Sequence, residues 1–158
     1  MPDMPPATSL AERYEAADTW LARCSGRPHE THARWDADEL APIASGAHWL
    51  VAESRLTNGM PAAARILPEH RGPVLADPDA DRTWWLVPPS AAEELADVRQ
   101  VTVQPAGWTL RCPPCGWSVA GRWWLWRPDG TGLLTNPAVL AAAFGPGGPI
   151  RPTKETAA

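Results

Sequence analysis

The sequence predicts an α+β fold: one domain, with a mixed or mostly antiparallel sheet and helices packed on it. Three observations carry this. Two Trp-rich runs, Arg82-Thr83-Trp84-Trp85-Leu86-Val87-Pro88-Pro89 and Arg122-Trp123-Trp124-Leu125-Trp126-Arg127-Pro128, each begin polar and continue through aromatic and aliphatic residues. Each then stops at a proline that cannot donate to a sheet ladder, so each reads as a buried strand with a defined end. Helical and strand-like segments interleave without a regular βαβ period, and several strand-like runs are separated only by turn residues, as in hairpins. At 158 residues and 44% apolar content, the chain suits a single core.

Taken in order, Ser9-Leu10-Ala11-Glu12 has capping-box form, and Leu10, Tyr14, Ala17 and Leu21 recur at helical spacing up to Cys24, which predicts a first helix. Ser25-Gly26-Arg27 breaks it, and Pro28 opens a short second helix through Trp35. His48 to Ala52 reads as a strand, Thr57-Asn58-Gly59 as a turn, and Pro61 to Leu67 as an Ala-rich helical piece. Gly72 to Asp77 is a short strand that an acidic turn, Pro78 to Asp81, joins to the first Trp-rich strand. Ser90-Ala91-Ala92-Glu93 is a second capping box, opening a helix through Asp97, before strand-like runs at Val101 to Val103 and Trp108 to Leu110. After the second Trp-rich strand, Asp129 to Gly132 is a turn and Asn136-Pro137 caps a last helix through Phe144. The expected domain is 9–145, with disordered tails at 1–8 and 146–158.

Composition narrows the function classes. The formal charge of −4 and pI of about 5.5 give no global positive field to draw in nucleic acid, although a local basic face stays open. Thirteen Arg against one Lys, with 19 Pro and many Ala and Gly, reads as the bias of a GC-rich coding sequence rather than a phosphate-binding signature. An acidic, Pro-rich start and no long apolar run argue against a targeting or membrane-spanning segment. Three cysteines, an odd number, suit a reducing compartment, so a cytoplasmic location is expected.

Cys112-Pro113-Pro114-Cys115-Gly116 is the sharpest chemical signal. Its C-x2-C spacing lets two thiolates reach one tetrahedral zinc, and Cys24 and His29, with His32 nearby, are the candidates for the other half of the site. The alternative is a pair of ordinary loop cysteines. A catalytic dithiol is disfavoured, because a Trp-rich strand, not a helix N-terminus, follows Cys115. Asp77, Asp79 and Asp81 alternate near a strand end, where carboxylates can hold Mg²⁺, and Asp36-Ala37-Asp38-Glu39 is a second acidic run; both also read as solvated turns. No Ser-His-Asp arrangement or phosphate loop can be drawn.

Period-2 alternation sends Trp84 and Trp85, and likewise Trp123 and Trp124, to opposite sheet faces. One face of each pair then needs its own cover. Helices on the second face supply it, or an exposed aromatic platform beside Arg82, Arg122 and Arg127 stacks the bases of a single strand, with Trp85 as the candidate ring.

A family resemblance rests on four stretches: Gly72-Pro73-Val74-Leu75-Ala76-Asp77; Trp85-Leu86-Val87-Pro88-Pro89; Gly107-Trp108-Thr109-Leu110 before a Pro-Pro loop; and Trp124 to Gly132 followed by Leu134-Thr135-Asn136-Pro137. Over Asp18 to Phe144 the chain resembles small actinobacterial proteins grouped with the bifunctional DNA primase/polymerase N-terminal domain. The resemblance implies a primase-polymerase-like core, templated nucleotide addition and two divalent metals, Mg or Mn. The matching stretch here, Ser45 to Glu53, keeps only Glu53 as an acid, a remnant of the catalytic set. A non-catalytic or repurposed relative is therefore expected, binding single-stranded DNA or a replication or plasmid-maintenance protein. A zinc-stabilised interaction module and an active nucleotidyltransferase are the alternatives.

Overall fold

The computed structural model describes residues 9–144, so the expected tails lie outside the described residues. Helix α1 (Leu10–Cys24) begins at a formed capping box: Ser9 Oγ accepts the Glu12 N–H at 3.1 Å and Glu12 Oε1 accepts the Ser9 N–H at 2.9 Å. Gly26, at φ +74°, turns the chain into α2 (Pro28–Asp36), which buries Thr31 and Trp35. Strand β1 (Ala41–Ala44) was not expected from the sequence. β2 (Leu50–Ser54) and α3 (Leu56–Ala64) follow, then a 3-10 turn at Pro68–His70.

The hairpin of β3 (Val74–Asp77) and β4 (Arg82–Val87) forms around the acidic turn as expected. Beyond it come α4 (Ala91–Glu94), β5 (Thr102–Val103), β6 (Thr109–Cys112), β7 (Trp123–Trp126) and α5 (Pro137–Phe144). Asn136 Oδ1 caps α5 by accepting the N–H groups of Ala138 at 2.9 Å and Val139 at 3.2 Å.

Two local expectations are corrected. Thr57-Asn58-Gly59 is helical, not a turn, because α3 crosses β4 closely at Gly59; a Cβ there would meet Thr83 Oγ1, and Thr83 Cγ2 at 3.0 Å. The second capping box does not form: Ser90 is itself in the helical region, its side chain makes no cap bond, and α4 ends at Glu94.

The main sheet has the order β5-β2-β4-β3-β7, every neighbouring pair antiparallel, and β1 pairs with β6 in a separate two-stranded ribbon. The alternation of the strands builds one apolar cluster on each face. Val51, Leu75, Trp84, Leu86 and Trp124 share a cluster with residues of α1, α2 and the ribbon. Leu50, Ala52, Val74, Trp85 and Val87 share the other with residues of α3, α4 and α5, where Phe144 meets Trp85 edge-on at 5.8 Å. Trp84 and Trp85 are 4% and 0% exposed. Helices therefore cover both sides of the Trp pair. Burying aromatic side chains of this size stabilises by about 2–3 kcal/mol each, so the adjacent Trp residues tie both layers to one strand. Among the described residues, no helix is long and apolar enough to cross a membrane.

Candidate functional site

The same alternation that builds the α1 face carries a polar cluster to its end. Glu53 lies two residues beyond Val51, Asp77 two beyond Leu75, Arg82 two before Trp84 and Arg122 two before Trp124, so all four reach one face at one end of the sheet. Glu53 Oε2 is 3.2 Å from Arg82 Nε, while its Oε1 accepts the Trp84 indole N–H at 3.0 Å and the Gln104 amide at 3.2 Å. Asp77 Oδ2 accepts from Arg122 Nε at 3.1 Å, and its Oδ1 accepts the Ala80 N–H at 3.2 Å. Arg122 also donates to the Arg111 carbonyl at 2.8 Å and stacks over Trp84 at 4.4 Å, tying the ribbon to the sheet.

Around the acidic turn, Asp81 Oδ2 is 2.7 Å from Arg55 Nη2, and Asp81 Oδ1 accepts the Thr57 N–H at 3.3 Å at the start of α3. The Arg55 hydrogen bond, the largest influence, holds the Asp81 carboxyl below its ordinary range. Three carboxylates of this end are thus committed to Arg partners. Among the described residues, no group of three or more His, Cys, Asp or Glu is arranged to hold a metal ion.

That finding also corrects the zinc candidate. Cys24, Cys112 and Cys115 are buried and unpaired, whereas His29 is exposed on α2, so the four expected ligands do not converge. Burial pushes the Cys112 thiol far up, against the pull of Arg122; burial followed by the nearby Asp18 carboxylate does the same to Cys115. Burial also raises Cys24, opposed by the Trp49 indole. These are core thiols, not nucleophiles.

The loop they bracket is fixed by side chains from three directions. Trp35 donates to the Cys112 carbonyl at 2.9 Å, Trp124 to the Pro113 carbonyl at 3.0 Å and Arg127 to the Cys115 carbonyl at 2.8 Å. Asp18 accepts the Cys115 N–H at 2.7 Å. Several indoles thus act as buried hydrogen-bond donors as well as core bulk.

Of the four residues expected to contact nucleic acid, Trp85 is corrected outright: it is fully buried between β4 and the helices of the second face and presents no ring to a base. Arg82 and Arg122 are held by Glu53 and Asp77, and Arg127 is exposed but bonded to Cys115 and stacked over Tyr14 at 4.6 Å.

Among the described residues two tryptophans face solvent, and the more exposed is Trp117, at 48%. Its signal was its place: a lone Trp after Cys115-Gly116, outside either alternating run. Trp126 is also exposed, with Arg71 over its ring at 3.1 Å. Trp117 borders a cleft of about 520 Å³ between α1 and the Cys loop, while Glu53, Arg55, Asp81 and Arg82 line a polar cleft of about 460 Å³ at the sheet end. Comparison of the chain with protein-family models, with curated proteins and with solved structures returns no match.

Proposed function

We propose that this chain is a non-catalytic, partner-binding domain, a repurposed relative of the primase-polymerase domains it resembles, and that it binds a protein of replication or plasmid maintenance in the cytoplasm. One observation carries the reading: at the sheet end Glu53 is paired with Arg82, Asp77 with Arg122 and Asp81 with Arg55, which leaves Asp79 as the one carboxylate of the acidic turn outside an ion pair among the described residues. Two divalent ions bridging a triphosphate need several converging carboxylates, and each of the paired ones already has a guanidinium. A phosphate backbone needs cations free to displace its counterions, and these arginines already have carboxylates. The formal charge of −4 acts in the same direction.

What stays exposed favours a protein partner. The open aromatic, Trp117, is bonded to Asp38 at 3.2 Å and shares its cleft with Glu15 and Asp18, surroundings that repel phosphate. Primer extension with Mg²⁺ or Mn²⁺, run beside anisotropy of a labelled single-stranded oligonucleotide at low salt, tests this. The expected result is no nucleotide addition and no saturable oligonucleotide binding. Metal-dependent extension that Glu53→Gln abolishes would contradict the reading, and so would DNA binding that falls with salt and with Arg127→Ala.

A further inference from the structure

We infer that the cleft between α1 and the loop after Cys115 receives a single cationic side chain, Arg or Lys, from the partner protein; this rests on the reading above that the partner is a protein. Ala11, Tyr14, Glu15, Asp18 and Thr19 fall at helical spacing on one flank of α1, beside the stripe through Ala17 and Leu21 that enters the core. Gly116 and Trp117 close the cleft from the other side, and at about 520 Å³ it has room for one long side chain.

The chemistry of the lining selects charge. Trp117 is the exposed aromatic of the lining, the kind of ring on which a cation stacks, and its indole N–H donates to Asp38 Oδ1 at 3.2 Å. The lining holds two carboxylates, Glu15 and Asp18, together with His32 from α2, and no Lys or Arg. Glu15 makes no ion pair among the described residues, and Asp18 is positioned by its hydrogen bond from the Cys115 N–H at 2.7 Å. The nearby Arg127 has its guanidinium on the Cys115 carbonyl and over the Tyr14 ring, which leaves Trp117 as the lining ring without a guanidinium on it. An aromatic face with adjoining carboxylates at the mouth of a cleft prefers an ammonium or guanidinium over a neutral group of the same shape.

The test is titration of the whole chain with a Gly-Arg-Gly peptide, its citrulline counterpart as the neutral isostere, agmatine as a free guanidinium, and a single-stranded oligonucleotide. The Arg peptide is expected to bind at least about five-fold more tightly than the citrulline peptide and than agmatine, and Trp117→Ala or Glu15→Gln to weaken it by a similar factor. Circular dichroism confirms that each variant is folded, and Trp117→Phe is expected to retain part of the binding. Equal binding of the citrulline peptide, indifference to both substitutions, or Trp117-dependent binding of the oligonucleotide instead overturns the inference. Agmatine binding as tightly as the peptide overturns the protein source and assigns the cleft to a small cation. Failure here leaves the expectation of no nucleotide addition standing, whereas metal-dependent primer extension would remove the non-catalytic part of the earlier reading and not the protein partner on which this cleft rests.

Discussion

Arg122 Nε lies 3.1 Å from Asp77 Oδ2, with the two side chains only 19% and 12% exposed, so the pair is shielded from the screening that makes surface ion pairs weak. Removing one partner leaves a charge in a mostly buried site. Arg122→Ala is expected to lower unfolding stability by about 2–4 kcal/mol, since it also removes the stack on Trp84 and the bond to the Arg111 carbonyl. Urea denaturation measures it; a loss under about 1 kcal/mol would show that the pair is solvated and not a tie between ribbon and sheet.

The buried thiols set a pH dependence. Burial raises Cys24, Cys112 and Cys115 above their ordinary value of 9.0, so above that pH the unfolded chain releases thiol protons that the folded chain keeps. The stability is therefore fully present below about pH 9 and lost as pH rises beyond it, by about 1.4 kcal/mol per pH unit for each of Cys112 and Cys115. Denaturation midpoints between pH 7 and pH 10 check the slope. Thiol titration with a disulfide reagent should find the cysteines unreactive in the native chain and all reactive in denaturant.

Gly59 separates two opposing effects. In the interior of α3, Ala would gain about 1 kcal/mol of helix propensity over Gly. The added methyl, however, would press on Thr83 Oγ1, on Thr83 Cγ2 at 3.0 Å and on Ser54 Oγ at 3.1 Å, in a region where overpacking costs about 1–3 kcal/mol. Steric conflict wins, and Gly59→Ala should lower the melting temperature; a rise would mean that α3 can slide away from β4.

Much of the fold was legible because its signals are local. The caps at Ser9 and Asn136, the break at Gly26 and the prolines after the Trp runs act over a few residues and appear where expected. β1 was not legible: Ala-Pro-Ile-Ala carries little strand propensity, and its pairing of Ala41 with Cys112 joins distant parts of the chain. The turn expected at Gly59 failed for a related reason, since its glycine answers to contact with β4 and not to local backbone freedom.

The candidate site was legible by residue but not by partner. Glu53, Arg82 and Arg122 were named from the sequence, yet whether they meet metal, phosphate or one another depends on cross-strand register, which sets Glu53 opposite Trp84 and Asp77 opposite Arg82. The Cys pair likewise could not disclose that its thiols enter the core while His29 stays outside.

The central claim is that the sheet-end carboxylates serve arginines and not metal ions, and calorimetric titration of Mn²⁺ into the whole chain tests it most directly. The account predicts no saturable binding, with Glu53→Gln and Asp77→Asn indistinguishable from the parent in that titration. Stoichiometric Mn²⁺ uptake that either substitution abolishes would contradict it.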